Sequence, residues 1–103
     1  MPVERRKRGT MEIMLDILKS CNQECGVTKV IYGAGINYTV AQKYLDKLIK
    51  IGALTSKTEN GRKMYEITEK GKILMVHIEE FLKIRENLNV AREKIIELLK
   101  VSQ

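Results

Sequence analysis

Residues 37–71 read NYTVAQKYLDKLIKIGALTSKTENGRKMYEITEKG, and this stretch decides the fold. Asn37 is a good N-cap, and behind it Ala41, Tyr44, Leu45, Leu48 and Ile51 lie along one face of a helix spanning 38–51. Tyr38, Thr39, Gln42, Lys43, Asp46, Lys47 and Lys50 fall largely on the opposite face. Gly52 stands where a helix commonly leaves through a left-handed residue. Two short β-rich runs follow, 54–58 and 64–67, joined by Glu59-Asn60-Gly61-Arg62-Lys63. Asn-Gly between such runs is a hairpin signal, because both residues accept the positive φ that a tight turn needs.

On the amino-terminal side, Met11, Met14, Leu15 and Leu18 recur at i, i+3, i+4 and i+7, with Ile13 and Ile17 widening the stripe. An amphipathic helix is expected there, opened by Thr10 as N-cap and ending near 20–22. A second, short helix is expected over 28–32, stopped by Gly33-Ala34-Gly35, whose glycines permit a positive φ. The order helix, helix, helix, hairpin, helix is that of a winged helix-turn-helix, in which the third helix enters the DNA major groove and the hairpin touches the backbone or minor groove. On that reading the recognition helix offers Tyr38, Thr39, Gln42, Lys43 and Lys47, and the wing offers Lys57, Arg62 and Lys63. Hydroxyls and lysines suit phosphates, whereas Gln42 suits an adenine edge.

From Thr68 onward there is no proline, and only Gly71 interrupts a helical pattern running to about Val101. A helix of roughly 30 residues is about 45 Å long, more than the globule before it can cover. Ile73, Leu74 and Val76 are expected to face that globule. Beyond them His77, Phe81, Ile84, Leu88, Ala91, Ile95 and Leu98 alternate by four and three residues, the heptad seam of a two-stranded coiled coil. Residues 80–95 hold no Gly or Pro to fold the helix back, so a second copy of the chain is the expected partner. His77 reads as a packed seam histidine rather than a ligand, since one His supplies too few donors.

The charge balance fits a polyanion partner. Of 103 residues, 19 are Lys or Arg and 13 are Asp or Glu, a net charge of +6. Half of that excess sits in residues 1–9, where Arg5, Arg6, Lys7 and Arg8 face a single acid, whereas the carboxy third is nearly balanced. Three parts are expected: a basic arm over 1–9, a winged helix-turn-helix over 10–68 and a dimerisation helix over 69–103. No apolar run reaches the ~20 residues of a membrane span, and the basic amino end lacks the apolar segment of a signal peptide. An intracellular, cytoplasmic protein without membrane contact is expected.

Ile31-Tyr32-Gly33-Ala34, then Asn37-Tyr38, Tyr44-Leu45 and, after the wing, Ile67-Thr68-Glu69-Lys70-Gly71 resemble the archaeal 10a chromatin-associated DNA-binding proteins over roughly residues 10–100. The Thr-x-Lys-Gly step recurs across winged-helix regulators; Tyr-Gly-Ala followed by Asn-Tyr is more specific. The resemblance implies a nucleoid-associated, mainly α winged-helix dimer, joined by an antiparallel coiled coil, that binds double-stranded DNA with modest sequence preference. It implies recognition by 38–50 and a wing at 57–63.

Other classes are weaker. Cys21 and Cys25, spaced C-x3-C, fall short of the four ligands zinc needs. Two free thiols are expected, with a disulfide as the alternative because intracellular bridges occur in hyperthermophilic archaea. One His, no nucleophile–base set and no complete glycine-rich phosphate loop argue against an enzyme, and no cofactor is expected. A site-specific repressor using Gln42 and Tyr38, or a protein–protein scaffold, are the remaining alternatives to a nucleoid architectural factor or broad transcriptional regulator.

Overall fold

The computed structural model describes residues 9–100, as α1 (Thr10–Ser20), α2 (Val27–Ala34), α3 (Tyr38–Lys50), β1 (Leu54–Glu59), β2 (Arg62–Ile67) and α4 (Glu69–Leu99). The fold is mainly helical with one antiparallel hairpin, a winged helix-turn-helix followed by a long helix. Its core gathers Ile17 and Leu18 of α1, Val30 and Ala34 of α2, and Ala41, Leu45 and Leu48 of α3. Leu54, Tyr65 and Ile67 close it from the hairpin, and Ile78 from α4.

Local chemistry explains most of the boundaries and several departures from expectation. Gly9, not Thr10, caps α1, because the Glu12 carboxylate reaches back to accept the Gly9 N–H at 3.0 Å. α2 runs through Gly33 and ends at Gly35, whose φ of 66° is the left-handed exit. Gly33 is needed for a different reason than φ. A Cβ there would lie 2.2 Å from Ser20 Oγ, so its absence lets α2 approach the end of α1. At α3, Asn37 Oδ1 accepts the Val40 N–H at 2.8 Å, the expected cap. Ile51, placed on the core face by spacing, is instead the C-cap and 39% exposed, because the chain turns away at Gly52 (φ 86°).

The strands are longer than their apolar runs and pair from Leu54↔Ile67 to Glu59↔Arg62. Only Asn60 (φ 51°) and Gly61 (φ 75°) form the turn, the two-residue geometry whose twist matches the strands. Cys25 adds a short third rung: it exchanges backbone hydrogen bonds of 2.9 and 2.8 Å with Tyr65, and the Cys21 carbonyl accepts the Ile67 N–H at 2.9 Å.

Thr68 caps α4 by accepting the Gly71 N–H at 3.0 Å while its hydroxyl donates to the Gly52 carbonyl at 2.6 Å. This seat sets which face of α4 meets the globule. Leu74, Met75, Ile78 and Leu82 pack on the core, whereas Ile73 and Val76, expected to face it, are each 57% exposed. Ile73, four residues before His77, lies on the seam side of α4. Among the described residues no helix is long and apolar enough to cross a membrane.

Arg85 ties α4 back to α1, donating to the Glu12 carboxylate, and Lys19 lies 3.5 Å from Glu79. Partial burial pushes the Glu12 carboxyl up, but the Arg85 hydrogen bond and charge and the backbone donors outweigh it, leaving Glu12 below the ordinary 4.5. A depressed carboxyl contributes stability above its ordinary pKa and loses it as pH falls through the folded value. Glu12→Gln is therefore expected to lower stability at pH 7 by up to about 1 kcal/mol, the limit for an exposed pair. Thermal melts of variant and parent should converge once the pH lies well below 4.5. A gap that persists undiminished there would remove Arg85–Glu12 charge pairing as its cause.

Candidate nucleic-acid interface

Helix α3 turns two polar rows outward. Thr39, Lys43 and Lys47 are exposed, together with Asp46 and Lys50. Tyr38 and Gln42, one turn apart, line a groove that runs toward the wing. Arg62 and Lys63 of β2 form its other wall, with Tyr65 below them, and Gly26, Val27 and Thr28 at the start of α2 complete it. The groove has a volume of about 500 Å³ and is open to solvent. Gln42 is half-buried in it, and its Nε2 donates to Asp46 Oδ1 over a long 3.4 Å. One amide N–H and the amide oxygen are thereby left to face the groove.

Four of the sequence-derived residues thus converge on one concavity: Tyr38, Gln42, Arg62 and Lys63. Thr39, Lys43 and Lys47 flank it on the same helix. Lys57 does not join them. Its ammonium lies 2.6 Å from Glu24, in the loop between α1 and α2, and 3.7 Å from Glu59. The hydrogen bond and charge of Glu24, reinforced by Glu59, hold Lys57 above the ordinary lysine range. Its charge is therefore locally compensated and contributes less to the basic face than composition implies. Arg5, Arg6, Lys7 and Arg8 lie outside the described residues.

The charges left uncompensated by such pairing, on the helix face and the wing tip, make this concavity the strongest candidate site among the described residues. A model of the family described as winged helix-turn-helix matches residues 7–86. A solved structure of Sso10a-2, a DNA-binding protein from Sulfolobus solfataricus, is 70% identical, with a TM-score of 0.90 over 92% of this chain and 100% of that one. The chain belongs to the archaeal 10a family of winged-helix proteins.

More distant likenesses extend beyond the 10a proteins. The transcriptional regulator BldR, also from Sulfolobus solfataricus, is 19% identical, with a TM-score of 0.68 over 84% of this chain and 68% of that one. AF1382 from Archaeoglobus fulgidus is 15% identical, with a TM-score of 0.63 over 74% and 86%. At those identities the likeness is one of fold. No curated protein matches the sequence. Within the 10a fold, the contribution of α2 to the groove was not read from sequence. Gly26-Val27-Thr28 carries the signal in retrospect, a glycine N-cap with an exposed hydroxyl in the first turn.

Proposed function

We propose that the protein is a homodimeric, double-stranded-DNA-binding protein of an archaeal nucleoid, acting as an architectural factor or broad regulator with modest sequence preference. The observation that carries the reading is the groove in which Tyr38 and Gln42 of α3 meet Arg62 and Lys63 of the wing. Its hydroxyl, amide and cationic side chains suit a sugar–phosphate backbone beside a base edge, and Lys43 and Lys47 extend the positive surface along α3. A close relative whose name describes a DNA-binding protein supports the same reading.

Dimerisation is proposed through α4. Ile84, Leu88, Ile95 and Leu98 are 57% to 83% exposed in the single chain, far more apolar surface than an isolated charged helix holds in water. Phe81 is also exposed, with the Arg85 guanidinium 5.8 Å from its ring centre, and His77 lies outward with Nδ1 3.9 Å from Glu80. With Ala91 these complete the seam. The seam from His77 to Leu98 spans about 30 Å, so two groove surfaces per dimer can engage one duplex or two.

Salt-dependent binding tests the reading. Lys43→Ala, Lys47→Ala, Arg62→Ala and Lys63→Ala are each expected to weaken binding to all duplexes alike and to flatten the log–log salt slope by about 0.9 for every phosphate no longer neutralised. Lys57→Ala should do less, because Glu24 and Glu59 already compensate that charge. Unchanged affinity and slope after all four neutralisations would leave a protein–protein scaffold as the better account.

The half-buried Gln42 favours a second reading, a site-specific repressor. Gln42→Ala separates the two. An architectural protein loses little on any sequence, whereas an operator reader loses about 1–3 kcal/mol on its own site and little elsewhere. Competition between random and genomic duplexes measures the difference.

A further inference from the structure

Cys21 is the C-cap of α1 and Cys25 forms the short rung against β2; both are free and buried, and their sulfurs lie 3.0 Å apart. That separation is about 1 Å beyond a covalent S–S bond of ~2.05 Å. We propose that Cys21 and Cys25 are a reversible dithiol that peroxide converts into an intrachain disulfide fastening the base of the wing.

Burial selects the product. Neither sulfur presents itself to another chain or a bulky reagent, so a small oxidant reaching one finds the other as its immediate neighbour. The two sulfurs share one hydrogen bond, in which either can donate to the other; that bond, with the nearby Lys29 charge, holds Cys25 below the ordinary thiol range against its burial, while the same bond and burial push Cys21 up against the pull of Lys29. Whichever thiol loses its proton is the first nucleophile, with the other 3.0 Å away to resolve it; for Cys25, the one held lower, the steps are these. Its sulfur attacks one peroxide oxygen, the O–O bond breaks, and the departing oxygen leaves as water with the thiol proton, giving a sulfenic acid. The Cys21 sulfur then displaces the hydroxyl from Cys25, the S–S bond forms, and a second water leaves with the Cys21 proton. Two thiols have lost two electrons and two protons, and one hydrogen peroxide has become two waters.

The bridge would join two residues already hydrogen-bonded to β2, at Ile67 and Tyr65. Those rungs lie on the strand that carries Arg62 and Lys63.

The test is intact mass of the full chain after hydrogen peroxide, followed by alkylation in denaturant. The expected product has lost two hydrogens, takes no alkyl label, stays a single chain without reductant, and regains two labels after dithiothreitol. Cys21→Ser should instead gain oxygen at Cys25 with no mass loss. In the oxidised protein the Tyr65 and Ile67 amides should exchange more slowly with solvent. Three results would overturn the proposal: two labels retained after peroxide, oxygen added to both wild-type sulfurs, or a disulfide between chains. Unchanged exchange at both amides would overturn the fastening of the wing.

Discussion

Leu88→Asp combined with Ile95→Asp is expected to give a monomer of 11.9 kDa in light scattering, where the parent chain is expected to scatter as a dimer. Both residues lie on the outer half of α4, at seam positions one heptad apart, and both are exposed in the single chain. The change therefore leaves the winged-helix core untouched. Burying each Leu or Ile contributes about 1.5–3 kcal/mol, and a two-fold dimer buries four of them. Losing all four weakens association by about 6 kcal/mol or more, some four orders of magnitude, before the cost of burying carboxylates is added. Helical signal should fall with it, since a helix end without tertiary packing is marginal in water. A double variant that still scatters as a dimer would sink the seam. Binding to a single duplex should weaken less than bridging between two duplexes, because each chain keeps its own groove.

Where the determinants are local, the fold was legible in the residues. Asn37 capping Val40 and Asn60-Gly61 closing a two-residue turn are interactions within a few positions, and both stand as the sequence implied. Where the determinant is a contact between distant segments, it was not. Gly33 reads as a helix stop, yet it sits inside α2, where its missing Cβ leaves room for the Ser20 hydroxyl of α1. Ile73 and Val76 read as core, but on a 31-residue helix the buried side is chosen by how its first turn docks, not by where apolar residues occur.

The site divides the same way. The polar face of α3 follows from helical periodicity, and the structure brings Tyr38 and Gln42 of that face against the wing. Lys57 looks equivalent to Lys63 in sequence, and only the folded chain reveals Glu24 beside it. The part of the groove lined by the start of α2 likewise depends on how two elements meet.

Gly71→Ala is expected to destabilise the protein by about 2–4 kcal/mol net, after the roughly 1 kcal/mol that helix propensity credits to alanine is subtracted. Gly71 is the third residue of α4 and has an ordinary helical backbone, so the matter is space. A Cβ there would stand 2.1 Å from the Ala53 carbonyl oxygen and 2.6 Å from Ile67 Cγ1. The oxygen is backbone, fixed at the start of β1, and cannot rotate away. Relief requires α4 to lift off its seat. That movement strains the Thr68 hydroxyl on Gly52 and the Thr68 N–H on Ala53 at 3.0 Å, two hydrogen bonds contributing about 1 kcal/mol each. Overpacking adds about 1–3 kcal/mol. In a domain of this size, each kcal/mol lowers the melting temperature by roughly 4–8 °C, so the midpoint should fall by about 8 °C or more. Gly33→Ala supplies the contrast. Its Cβ meets only the Ser20 side chain, whose hydroxyl can turn aside, and alanine's helix propensity offsets about as much as that costs, so the net change should stay within about 1 kcal/mol. Denaturant titrations followed by circular dichroism compare the two directly. Equal losses at Gly71 and Gly33 would mean that the seat of α4 yields as easily as a hydroxyl, and that Thr-x-Lys-Gly does not hold the long helix to the wing.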